Sequence, residues 1–220
     1  MSAAPFKDVA ERIERTADEL ANVITHGVGL LLSVLGAVVL VALAARFGPA
    51  RVVVGTAVFA VTLVLLYAAS TCYHAACHVV RKRRLRTLDQ IAILYLIAGT
   101  YTPLALIGLG GPWGWAMLAA IWTLALTGTV YRLAAPRHFE RGGLWLYLTM
   151  GWLVVLFGRP VLTAVPASTI ALLAAGGVLY CIGVVFFVRD RPRFDHALWH
   201  VFVMGGSGCH YAAVALLVVP

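Results

Sequence analysis

The chain has 220 residues, of which 62% are hydrophobic and only 12% charged, with mean hydropathy +0.92. Soluble domains are nearer a quarter charged, so an ordinary water-soluble domain is excluded, and the long continuous apolar runs exclude a β-barrel with its period-two alternation. The net charge of +8 comes from short clusters between apolar segments, the pattern of interfacial anchoring rather than of nucleic-acid binding.

The first 21 residues, opening "MSAAPFKDVAERIERTADEL", carry no signal-peptide core beside them and no cleavage site. They read as a cytoplasmic amphipathic segment leading into a transmembrane domain over 22–220. At 1.5 Å per residue a span needs about 20 apolar residues. Candidates follow at 22–45, 51–77, 88–109, 113–131, 142–158, 167–188 and 196–219, the fifth being short. Breaks fall at "RFGPAR", "RKRRLR", "LGGPW", "APRHFERGG", "GRPVLTAVP" and "RDRPRFD", each with Gly, Pro or a charge cluster. The expected fold is an all-α bundle of seven transmembrane helices.

Its orientation follows from the basic residues. With the N-terminus cytoplasmic, the inner segments hold Lys7, Arg12, Arg15, Arg81, Lys82, Arg83, Arg84, Arg86, Arg132, Arg137, Arg141, Arg189, Arg191 and Arg193. Only Arg46, Arg51 and Arg159 lie outside. The positive-inside rule then places the C-terminus outside. The cysteines Cys72, Cys77, Cys181 and Cys209 form no CxxC pair and are expected as free thiols.

Polar residues interrupt the apolar runs at related places. "STCYH" ends span two with Ser70 and His74; "HALWH" opens span seven with His196 and His200; "ELANVITH" opens span one with Glu19, Asn22 and His26. The i, i+4 and i, i+3, i+7 spacings put each set on one helix face. His74 stands seven residues before Arg81 and His200 seven after Arg193, each about 10 Å inward if the helices continue. Asp89 is expected in the first turn of span three, level with them. Ionisable groups inside a bilayer are costly and mark functional sites with partners. Three imidazoles and a carboxylate at one depth suit zinc; polar helix–helix contacts without metal are the plainer reading. Asp89 equally suits the first turn of a helix through its dipole, and Ser70 suits close packing. His78, His138 and His210 read as peripheral.

The motifs "ELANVITH", "STCYH" with the following Asp89, "HALWH" and "DQIAILYLIAGTYTPLAL" resemble those of the hemolysin III family. This is the bacterial branch of the progestin and adipoQ receptor superfamily, related to alkaline ceramidases. The resemblance covers nearly the whole chain. It implies a seven-helix bundle in the cell inner (plasma) membrane, with zinc on His74, His196 and His200, and Asp89 contacting the zinc through water. Ser70 would sit beside that water. Glu19, Asn22 and His26, on one face of span one, read equally as support behind such ligands or as a structural cap network.

Two functions of different class follow. One is a zinc-dependent hydrolase of a lipid amide or ester, ceramidase-like, with Asp89 as general base and Ser70 as donor to the oxyanion. Membrane lipids are then the expected partners. The other is a non-enzymatic hemolysin III-type membrane protein in which zinc is structural: a receptor-like sensor, a regulator of membrane state or a lytic channel. A di-histidine haem is disfavoured by the carboxylate.

Overall fold

The computed structural model describes residues 4–189 and 194–219, with side chains described from residue 16 onward. Seven helical segments among the described residues are long and apolar enough to cross a membrane. No strand occurs among the described residues, and the fold is an all-α, seven-span membrane bundle. Helix α1 spans Ala4–Phe47, α2 Ala50–Ala75, α3 Val79–Pro103, α4 Gly111–Ala134, α5 Pro136–Gly151, α6 Gly158–Ala164, α7 Ala167–Arg189 and α8 Asp195–Val218. A π-helical stretch, Leu104–Leu109, extends α3, and a 3-10 stretch, Leu153–Phe157, joins α5 to α6.

The packing follows the polarity of each helix. The second half of α3 is largely enclosed, with Ala92, Leu94, Leu96 and Ala98 through Pro103 buried, as befits a segment apolar all round. It contacts α2, α4, α5 and α8. α1, by contrast, presents Leu20, Ile24, Leu31, Leu35 and Val38 outward, a lipid-facing surface. Glycines set the closest approaches. A Cβ on Gly29 of α1 would lie 2.6 Å from the Tyr67 ring of α2, so only glycine lets that ring lie against the α1 backbone.

Three expected breaks differ in form. "RKRRLR" is helical, because α3 already begins at Val79; Arg, Lys and Leu are good helix formers, and the chain turns at 76–78 instead. "APRHFERGG" is likewise absorbed into α5, with Pro136 at its first turn, where a missing N–H costs nothing. The fifth span proves longer than expected, Pro136–Ala164, and is interrupted. Its break is closed by Tyr101 of α3, whose hydroxyl donates to Gly151 O at 2.8 Å and accepts from Val154 N–H at 2.8 Å.

The boundary expected at residue 21 falls inside the continuous α1, and the side chains of its first residues lie outside those described. So do residues 190–193, most of the "RDRPRFD" break.

Candidate metal centre

The polar residues meet at the bundle end that carries Lys82 and Arg86. α2 stops at Ala75, so His74 stands in its last turn. α8 starts at Asp195, just after Phe194, whose φ of 69° is left-handed. Such a conformation is strained for a bulky residue. It is held by Asp18 of α1, which accepts the Phe194 N–H at 3.0 Å. Asp195 also pairs with Arg189 of α7 at 3.3 Å. This turn points His196 and His200, one helical turn apart, toward α2.

His74, His196 and His200 present one ligand nitrogen each, all within 4.8 Å of one another. His74 and His200 are buried and His196 half-buried. Two of the rings have their outward nitrogens committed. His74 Nδ1–H donates to Glu19 Oε2 at 2.8 Å, and Glu19 Oε1 in turn accepts from Lys82 Nζ at 2.6 Å. His200 Nδ1 faces Thr25 Oγ1 at 3.1 Å. The Thr25 hydroxyl proton is directed to Ala21 O and Asn22 O, so toward His200 the threonine acts as acceptor. Both imidazoles therefore hold their proton on Nδ1 and turn a bare Nε2 lone pair inward. His74 Nε2 is buried without a hydrogen-bond partner. A metal-binding histidine is commonly held through its other nitrogen by a carboxylate or similar acceptor. The residues present therefore fit a metal ion.

The remaining predicted residues surround this cluster. His26 stacks on His200 with ring centroids 3.5 Å apart and meets Tyr67 edge-on at 5.1 Å. Neither of its ring nitrogens has a hydrogen-bond partner. Asp89, half-buried, lies beside the Ser70 hydroxyl; Ser70 is fully enclosed. Asn22 is buried beneath, with Oδ1 unpartnered. Glu19 thus supports His74 directly.

The cluster does not lie at the depth the spacing predicts. α2 does not continue from His74 to Arg81, so the cluster lies at helix ends rather than two turns below an anchor. Asp89 is three turns into α3 and not in its first turn, because that helix begins ten residues earlier. The two residues still meet, since the turn at 76–78 brings α3 back alongside α2. His78 and His138 are exposed. His210 lies deeper, its Nε2 3.2 Å from Leu173 O. Lys82, Thr25 and Asp18 escaped the sequence reading. Lys82 looked like one more interfacial anchor, though Thr25 shares the "ELANVITH" run.

A polytopic helical membrane protein with a three-imidazole cluster at one end of its bundle is the class these features define. The chain belongs to the Haemolysin-III related family, whose model matches residues 15–211. It is similar to "Hemolysin-3" of Bacillus cereus, 41% identical over 203 residues, 92% of this chain and 93% of that one. The "Hemolysin-3 homolog" of Bacillus subtilis (strain 168) is 40% identical over 197 residues, covering 90% and 92%. More distant is the "Monocyte to macrophage differentiation factor" of Homo sapiens, 33% identical over 166 residues, 71% and 67%. The span of these relatives agrees with the resemblance read from the motifs, to the hemolysin III branch of the progestin and adipoQ receptor superfamily.

Proposed function

We propose that this protein holds zinc on His74, His196 and His200 and hydrolyses an amide or ester of a membrane lipid. The observation that carries the reading is the donor set itself. Two imidazoles are locked with Nε2 bare, by Glu19 and by Thr25, and His74 Nε2 is buried with no other partner. Neutral imidazoles suit zinc, and three of them leave a position for chemistry. Zinc bound there would polarise a carbonyl and lower the pKa of water.

The rest falls to the chain. Asp89 takes a proton from the water that adds to the carbonyl carbon, and returns it to the leaving amine or alcohol as the C–N or C–O bond breaks. An amide thus yields a carboxylic acid and an amine. Ser70, beside Asp89, has a single hydroxyl proton, which would swing from the carboxylate to the carbonyl oxygen as charge develops there. Acyl-chain lipids reach the site from the leaflet at that end of the bundle. On the positive-inside rule this end is cytoplasmic, with the N-terminus in and the C-terminus out of the plasma membrane.

One observation favours a second reading. His26, stacked on His200 with both nitrogens unpartnered, is a fourth imidazole, and closed four-ligand sets are the mark of structural zinc. The test is zinc content and turnover on one preparation. The purified protein, given long-chain amides and esters in nanodiscs, is expected to carry about one zinc per chain and release fatty acid. Asp89→Asn should keep the zinc and lose turnover about a hundredfold or more. Zinc retained with no hydrolysis in the wild type would leave the structural reading standing. A C-terminal alkaline phosphatase fusion should be active; an inactive one would reverse the orientation.

A further inference from the structure

Arg132, near the end of α4, is buried, unlike its neighbour Arg137. Its Nε donates to Gln90 Oε1 and its Nη2 to Thr87 Oγ1 at 3.0 Å, and it stands 5.9 Å from the Phe139 ring centroid. All of these partners are neutral, and among the described residues no carboxylate lies within ion-pair distance. A buried guanidinium without a counter-charge is strongly disfavoured. It lines a cavity of about 330 Å³ together with Arg83, Arg86, Thr87, Leu133 and Glu140. Glu140 is already engaged by Arg86 at 3.1 Å, so three arginines against one glutamate leave the lining at +2. The cavity is half open to the surface and has room for a phosphate group and its ester oxygens.

We infer that this cavity binds the phosphate of an anionic membrane phospholipid, with Arg132 as its buried counter-charge. Arginine forks match phosphate oxygens, and charge-assisted bonds in a partly desolvated site are strong. Basic pockets between transmembrane helices at an interface are suited to lipid headgroups. The adjoining surface selects a lipid over a soluble phosphate. Leu126, Val130 and Leu133 are exposed at 54%, 63% and 62% and follow the i, i+4, i+7 spacing of one helix face. They form an apolar stripe running from the cavity wall along α4, the path an acyl chain would take. This site is independent of the histidine cluster and of any hydrolysis.

The test is native mass spectrometry of the full-length protein extracted from nanodiscs containing phosphatidylglycerol or phosphatidylcholine, with excess inorganic phosphate as a competitor. Wild type should retain phosphatidylglycerol in preference to phosphatidylcholine, and inorganic phosphate should not displace it. Arg132→Gln should weaken retention about tenfold or more; Arg83→Gln, at an exposed position, should weaken it less and leave folding intact. Arg137→Gln should match wild type. Equal losses in all three variants would overturn the inference in favour of diffuse attraction. So would equal retention of phosphatidylcholine, or displacement by inorganic phosphate, which would make the ligand a soluble anion. Should Arg132→Gln fail to fold, the comparison of Arg83→Gln with Arg137→Gln decides it.

Discussion

Two polar layers cross the bundle, and α2 and α8 contribute to both. The outer layer contains His74 and His200. The inner one, seven residues further along each helix and about 10 Å deeper, contains Tyr67 and Ser207. In the inner layer the hydroxyls complete one another: Tyr67 donates to Ser207 Oγ at 3.0 Å, and Tyr180 of α7 meets the same oxygen at 2.9 Å. In the outer layer every arrangement faces the other way. Glu19 and Thr25 occupy the rims of the imidazoles, while His74 Nε2 and both nitrogens of His26 stay unpartnered. A polar layer that only ties helices together closes its own hydrogen bonds, whereas one built to hold a ligand leaves acceptors bare at a price in apo stability.

Substitutions can break this contrast. The largest effect is expected from His74→Ala, His196→Ala or His200→Ala, each reducing zinc, measured by elemental analysis, from about one per chain to near zero. His210→Ala, deeper in the bundle, should keep its zinc. Equal loss from all four would mean that general destabilisation, not ligation, is responsible. Next comes Glu19→Gln, which keeps an acceptor for His74 Nδ1–H but removes its charge and deprives Lys82 of its carboxylate partner. Zinc affinity should weaken roughly tenfold in competition with a chromophoric chelator, and unchanged affinity would reduce Glu19 to an interfacial ion pair. Thr25→Val should produce a smaller loss in the same assay, because a neutral acceptor is replaced.

The smallest expected effect on the metal is that of Ser207→Ala. It orphans the Tyr67 and Tyr180 hydroxyls and should lower stability by about 1–2 kcal/mol, read from unfolding in mixed micelles. Zinc should be unaffected. A loss of metal in this variant would show that the two layers are coupled through α2 and α8.

The seven spans were legible because apolar length and Gly/Pro punctuation are properties of the sequence alone. The meeting of His196 and His200 on one helix face was legible because i, i+4 spacing survives any helix packing. Their depth was misjudged, since no local signal distinguishes a helix that runs on through "STCYHAACHVVRKRR" from one that turns at 76–78 and starts again. Position within α3 was misjudged for the same reason, and Asp89 still meets Ser70 only because the two helices are antiparallel neighbours. Lys82 and Arg132 were counted as interfacial charges. Their partners, Glu19 and Gln90, lie 63 and 42 residues away, and such pairings belong to tertiary structure.

Tyr101 has a consequence for how the chain is assembled. The fifth span is interrupted within the bilayer, and its mean hydropathy is 1.4 against 2.7 for the first. Backbone groups released at such a break cannot face hydrocarbon unpartnered. Here one hydroxyl from α3 serves both sides of the gap, at Gly151 and Val154. The fifth span is therefore a poor candidate for release into lipid as an independent segment during synthesis. It becomes a comfortable transmembrane element only beside α3, which precedes it in the chain and is already made when the fifth span emerges.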